Sequence, residues 1–338
     1  MQQIWIMKTG APEVLQMRES PLPVPANGEV RIRVEAAGIN FADIMGRIGL
    51  YRDAPAVPYV PGYEVSGTVD AVSPGVTGVK EGDQVIALTR FGGYSDVICV
   101  PYQQVFRRLE WMSALDGAAL PVNFLTAYIG LVVMGSVHQG DRVLIHNAAG
   151  GVGLAALEIC KISGAVTFGT ASPTKHEQLQ KKGMDHTIDY RNMDYERVVM
   201  EMTKDQGVDI ILDPLGGKNW MKNYRLLAPT GRLIHFGVSS MITGKKRSLI
   251  RALRAAITLP FYSPIRLMQD NKSVAGINLA HLWDHGEMVQ VWMEQIISWY
   301  DEALFRPTID KTFPLNQAAK AHHYLQDRQN FGKVLLTP

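Results

Sequence analysis

From Val30 to Ala36 the chain reads Val-Arg-Ile-Arg-Val-Glu-Ala, apolar and polar residues in alternation, the period of a strand with one face buried. Val65-Ser66-Gly67-Thr68-Val69-Asp70-Ala71-Val72 and Gln84-Val85-Ile86-Ala87-Leu88 predict two more strands, with Gly75, Gly78 and Gly82-Asp83 marking turns between them. Asp116 to Gly135 reads as a helix and crossover. Beyond Arg142 strands and helices alternate. Strands are predicted at 143–147, 165–170, 187–189, 208–212, 231–236 and 273–278, with helices such as 174–182 and 193–204 between them. That rhythm is what a parallel sheet covered by helices requires. Leu282, Met288, Val289, Trp292, Ile296 and Trp299 recur at helical spacing and predict a long helix over 281–303. A last helix follows Pro314, and Lys333-Val334-Leu335-Leu336 closes the chain as a strand. The pattern predicts an α/β protein. A β-rich domain over 1–122, completed by 279–338, receives an inserted doubly wound parallel-sheet domain over 123–278.

The stretch from Gly117 to Gly140 carries no Asp, Glu, Lys or Arg and is long enough in principle to span a bilayer. Pro121, Asn123, Thr126 and further glycines interrupt it, so a buried helix between two domains is the better expectation. At 338 residues, 46% apolar and 20% charged, the chain can bury two cores. A net charge of +2 is too small to argue for a nucleic-acid partner. Cys99 and Cys160 fall in different predicted domains, which rules out a disulfide framework and fits a reducing compartment. Met1-Gln2-Gln3-Ile4-Trp5 lacks a basic segment leading into an apolar core, so no signal peptide is expected and the expected location is cytoplasmic.

The chemistry enters where the apolar run Val143–Ile145 breaks into small residues and resumes at helical spacing through Val152, Ala156, Ile159 and Cys160. Gly151, Gly153 and Ala156 fit G-x-G-x-x-[G/A], the turn that brings backbone N–H groups and a helix start against a pyrophosphate. Ala149, Gly150, Gly151, Val152 and Gly153 are therefore candidate cofactor residues. An NAD-dependent turn of this kind sets an Asp or Glu at the end of the second strand to hold the ribose 2′-OH. Here that strand ends Phe168-Gly169-Thr170-Ala171-Ser172 without an acid, and Lys175 follows. A missing carboxylate with a nearby cation suits a 2′-phosphate, so NADP(H) is the expected cofactor, with Thr170, Ser172 and Lys175 at that end.

The chain resembles the medium-chain dehydrogenase/reductase superfamily in its zinc-free quinone oxidoreductase branch. The residues that carry the resemblance are Gly38-Ile39-Asn40-Phe41-Ala42-Asp43, Pro61-Gly62-Tyr63-Glu64, Gly78-Val79-Lys80-Glu81-Gly82-Asp83 and Leu120-Pro121-Val122-Asn123-Phe124-Leu125-Thr126-Ala127-Tyr128. Phe168–Ser172, Ile188-Asp189-Tyr190 and Asp213-Pro214-Leu215-Gly216-Gly217 narrow it to the vesicle amine transport protein subgroup. The resemblance implies a GroES-like catalytic domain with an inserted Rossmann domain. It implies that Lys175 and Tyr190 flank the 2′-phosphate. The nicotinamide end falls to Thr126, the backbone of Phe236-Gly237-Val238, Asn330 and Lys333, with Asn40 and Leu215 also against the cofactor. It further implies a homodimer, for which Ser273–Asn278 would supply an open sheet edge.

Zinc members of this superfamily carry a cysteine near position 40 and a histidine in Gly-His-Glu, where this chain has Asn40 and Gly62-Tyr63-Glu64. Asn and Tyr are poor zinc ligands, and no four closely spaced cysteines exist for a structural zinc, so no metal is expected. His281 with His285, and His322 with His323, are expected to be solvated surface residues. Without a Lewis acid, hydrogen-bond donors must polarise the acceptor, and Asn40 and Tyr51, on the loop that resembles the family's substrate wall, are the expected catalytic pair. The expected substrates are small molecules that accept hydride readily, quinones or α,β-unsaturated carbonyls.

One segment points elsewhere. Lys245, Lys246, Arg247, Arg251 and Arg254 alternate with Leu249, Ile250, Leu253, Ile257 and Leu259, the composition of a helix that lies on an anionic membrane. A helix over the active-site mouth or a dimer interface fits the same residues and is the favoured expectation. The membrane reading makes the chain a peripheral lipid-binding protein with an idle nucleotide site, and a third class binds nucleotide without turnover.

Overall fold

In the computed structural model the chain is described over residues 1–240 and 259–338. It divides into two compact units, one of Met1–Leu125 with Leu279–Pro338, the other described over 126–240 and 259–278.

The first unit is built on a seven-stranded sheet whose central strand, Glu29–Ile39, pairs antiparallel with Glu64–Val72, Val97–Pro101 and Lys333–Thr337. The period-two pattern does its expected work here. Val30, Ile32 and Val34 are buried, while Arg31 and Arg33 share Asp70 at 2.7 and 3.0 Å. A register shift between Val34 and Ala36 interrupts the alternation, and Ala36, Ala37, Gly38 and Ile39 are all buried. The closing strand pairs Val334 with Ile39 and Leu335 with Gly38, so the C-terminus completes the N-terminal sheet.

The second unit holds a six-stranded, all-parallel sheet in the order His186–Asp189, Val166–Ala171, Arg142–Ile145, Val208–Asp213, Leu227–His235, Ser273–Gly276. Val143, Leu144 and Ile145 are buried, as a central parallel strand demands. Among the described residues Ser273–Gly276 is one edge of this sheet and His186–Asp189 the other.

Three expectations need correcting. The helix expected over 116–135 is three pieces, Ala114–Ala119, Pro121–Tyr128 and a π turn Ile129–Val133. Pro121, which has no N–H to give, starts a new helix. The helix expected over 281–303 is a 3-10 run Leu279–His285 followed by Gly286–Asp301, because His285 leaves the helical region at φ −114°, ψ 47°. His281 sits in the 3-10 part and pairs with Asp53 at 3.1 Å.

His322 is not solvated. It is fully buried on the inner face of Ala318–Gln326, its Nε2 3.0 Å from the Tyr94 hydroxyl, whereas His323 meets Glu13 at 2.6 Å. Adjacent helical residues point 100° apart, so one member of the pair goes to the core. Burial holds the His322 imidazole well below its ordinary value, in the neutral form. Among the described residues no helix is long and apolar enough to cross a membrane. The basic segment 245–259 lies outside the described residues except for Leu259, which is exposed.

Candidate active site

In the first unit three strand ends converge on a buried polar cluster. Asn40 follows Ile39, Lys333 precedes Val334 on the paired strand, and Glu64 precedes Val65, which pairs with Ala37. Lys333 Nζ donates to Asn40 Oδ1 at 2.7 Å and is ion-paired with Glu64 Oε1. Asn40 Nδ2 donates to the same Oε1 at 2.8 Å, and the Val122 N–H donates to Oε2 at 2.7 Å. Lys333 is 3% exposed and Glu64 0%, so the two groups are buried as a pair and removing either would strand the other. A Cβ at Gly38 would overlap the Glu64 carboxyl, which explains a glycine inside this strand.

The backbone around the cluster is fixed by Asp43. Its carboxylate accepts from the Asn40 N–H at 2.8 Å and from the Gly62 N–H at 2.9 Å. Burial outweighs those two donors and pushes this carboxyl up to about 7. Tyr63 is buried, its ring edge-on to Tyr51 at 6.2 Å and tilted on Phe91 at 5.2 Å. Burial and the nearby Asp53 push the Tyr51 hydroxyl up to about 12. Asn330 donates from Nδ2 to Gly332 O at 2.7 Å and so closes the turn into Lys333.

In the second unit the strand Arg142–Ile145 feeds the helix Gly151–Ser163 through a turn in which Asn147 takes a left-handed φ of 53°. The Leu154 N–H donates to Gly150 O at 2.9 Å, so the N–H groups of Gly151, Val152 and Gly153 precede the first intrahelical donor. A Cβ on Gly153 would stand 2.6 Å from Ala148 O, and one on Gly150 would stand 2.6 Å from Asn147 Nδ2. The Ala148 N–H donates to Thr170 O at 3.1 Å, tying the turn to the second strand.

The register Asp189 with Ala171 ends both strands together, one residue before Tyr190 and Ser172, and the 3-10 turn Pro173–Lys175 follows. The Thr170 hydroxyl lies 3.0 Å from His146 Nδ1. Leu215 and Phe236–Val238 follow paired strands. The Phe236 N–H donates to Asp213 O at 3.1 Å, and the Asp213 carboxylate accepts from Leu215 N at 2.7 Å and meets His235 Nδ1 at 3.2 Å. Thr126, on Pro121–Tyr128, is buried.

The expected site residues thus fall into separate groups. Asn40, Asn330 and Lys333 come together in the first unit. The turn 149–153 with Thr170, and Ser172 with Tyr190 near Lys175, come together in the second, as do Leu215 and Phe236–Val238. Sequence reasoning missed Glu64, whose signal was a carboxylate at the head of an apolar strand. It also missed His146, buried between Thr170 and Asn223, whose Oδ1 lies 2.9 Å from Nε2.

The donor set of the turn fits a nucleotide: unpaired helix-start N–H groups, close-packed glycines, and a lysine rather than a carboxylate after the second strand. The first-unit cluster fits no metal, because Asn40 Oδ1 and Glu64 Oε1 already accept from an ammonium.

Residues 26–110 match the family model described as alcohol dehydrogenase GroES-like domain, and residues 182–336 match the one described as zinc-binding dehydrogenase. The rat synaptic vesicle membrane protein VAT-1 homolog is 40% identical over 325 residues, 96% of this chain and 80% of that one. The crystal structure of the human VAT-1 homolog-like protein aligns with a TM-score of 0.87 at 32% identity, over 100% of this chain and 98% of that one. The Escherichia coli quinone oxidoreductase complexed with NADPH aligns with a TM-score of 0.88 at 28% identity, over 100% of both chains.

Proposed function

The chain belongs to the medium-chain dehydrogenase/reductase superfamily, and on that premise we propose that it is a zinc-independent, NADPH-dependent reductase of quinones or α,β-unsaturated carbonyls. The observation that carries this reading is the ammonium–amide–carboxylate cluster of Lys333, Asn40 and Glu64, buried at three strand ends of the first unit. Such a cluster supplies hydrogen-bond donors to an acceptor oxygen, which suffices for acceptors that take hydride readily.

Bound NADPH would supply the hydride. Gly150, Gly151, Val152 and Gly153, with Ala149, would hold its pyrophosphate on helix-start N–H groups. Ser172, Lys175 and Tyr190 would hold the 2′-phosphate, while Thr126, Leu215 and Phe236–Val238 would contact the nicotinamide half. Asn40, with both ends of its amide already engaged, can still offer its second Nδ2 hydrogen to a carbonyl. Tyr51 keeps its proton and can donate it. The protein acts in the cytoplasm in this reading, and the edge strand Ser273–Gly276 supports pairing with a second copy.

The test is the decay of NADPH absorbance with a panel of quinones and enones, repeated with NADH and with Lys175→Glu. Turnover with NADPH is expected. The substitution should weaken NADPH binding about tenfold or more and leave NADH binding nearly unchanged. Equal losses for both cofactors would remove Lys175 from the phosphate site.

A second reading, a peripheral membrane-surface protein, is favoured by one observation. Leu259, Phe261, Ile265 and Met268 are all more than half exposed, at 59, 84, 65 and 69%. NADPH binding without turnover, together with sedimentation on anionic vesicles, would move the balance to it.

A further inference from the structure

We propose that Lys333 is the catalytic electrophile of this site, a charged N–H donor that contacts the acceptor's carbonyl oxygen, with Glu64 as its positioning residue. The inference rests on the reductase reading and deepens it. It selects α,β-unsaturated carbonyls as the acceptors for which the cluster is built.

An ammonium has three N–H donors. In Lys333 one is given to Asn40 Oδ1 and one to Glu64 Oε1, and the third has no partner among the described residues. Glu64 is itself clamped. Its Oε1 also accepts from Asn40 Nδ2 at 2.8 Å, its Oε2 accepts from Val122 N at 2.7 Å, and the missing Cβ of Gly38 makes its space. The lysine chain is held from below as well, since the Lys333 N–H donates to Thr308 O at 2.8 Å. An ammonium with 3% exposure, two donors fixed and one directed elsewhere is preorganised for a developing oxyanion. Such a donor needs no reorientation when the charge appears.

The electron count closes. The β-carbon receives the hydride of the reduced cofactor, and the C=C electron pair moves to give an enolate. Lys333 then gives its third proton to the enolate oxygen, and the enol tautomerises to the ketone in water. Lys333 regains a proton from solvent, so enone, NADPH and one proton become saturated ketone and NADP+. Quinones, whose own electron affinity drives reduction, depend less on such polarisation.

The experiment measures kcat and KM of the full chain with 1-octen-3-one and with 1,4-naphthoquinone, alongside NADPH affinity by fluorescence titration. The variants are Lys333→Met, Glu64→Gln and the double variant E64Q/K333M. The double variant leaves no unpaired buried charge and stands in if K333M fails to fold. K333M and the double variant are expected to lose about 100-fold or more in kcat at saturating NADPH with the enone but only about tenfold with the quinone. Glu64→Gln should show the same enone-selective loss at about tenfold, in kcat rather than KM.

Equal losses on both acceptors, or losses confined to NADPH affinity, would overturn the proposal. An unaltered protein that binds NADPH and reduces neither acceptor would instead fail the reductase reading, and the proposal would fall with it.

Discussion

The nucleotide turn and the Lys333 cluster are both polar sites set at strand ends, yet they are assembled in opposite ways. The turn is contiguous: Asn147 to Leu154 bond to one another across a few residues, and Thr170 reaches in from the neighbouring strand. The cluster joins residues 24, 269 and 293 positions apart, brought together by the pairing of three strands. A contiguous site is specified by local sterics and tolerates change in the rest of the sheet. A convergent one depends on register, and its charges are stable only while all partners are present.

That contrast can be attacked most directly through stability. Lys333→Met leaves the Glu64 carboxylate buried and unpaired, and should cost about 3–5 kcal/mol in urea unfolding. The double variant E64Q/K333M should recover most of that loss. If K333M unfolds at the same urea concentration as the unaltered chain, pairing does not hold the cluster together.

A smaller effect is expected at the turn. Gly153→Val puts a side chain where 2.6 Å separates Cβ from Ala148 O, an overpacking worth about 1–3 kcal/mol. NADPH affinity should fall about tenfold or more, while the ratio of enone to quinone activity, set by the first unit, stays that of the unaltered chain in what activity remains. Loss of that preference would mean that the two sites are not independent in the way their construction implies.

The gentlest test is pH. The Asp43 carboxyl is raised by burial from 3.8 to about 7 in the folded chain. Between those values the native state keeps a proton that the unfolded chain gives up, so this group's contribution to stability falls as pH rises and levels off above about 7. Stability of the unaltered chain relative to Asp43→Asn should therefore decline by up to about 1.4 kcal/mol per pH unit across that window. A difference that stays flat from pH 4 to 8 would show that the Asn40 and Gly62 N–H groups keep Asp43 ionised throughout.

The two regions also differ in how far they could be read from residues alone. Val30–Ala36, Val143–Ile145 and the glycine turn announced themselves because period two, period 3.6 and backbone sterics act over neighbours along the chain. The strand beyond Ala36 was underread, since the register shift at Val34 to Ala36 buries both faces and erases alternation. His322 was misread for a related reason. Which side of Ala318–Gln326 faces inward is decided by what it packs on, here Tyr94.

By itself the sequence determined the α/β class, the parallel sheet, the nucleotide turn and the acid-free end of its second strand, because each rests on short-range geometry. Only the tertiary structure decided that Glu64 belongs with Lys333, that Asn40 is engaged at both ends and that the Thr170 hydroxyl lies against His146. Those facts depend on strand register and burial, which turn residues hundreds of positions apart into one charge-balanced group.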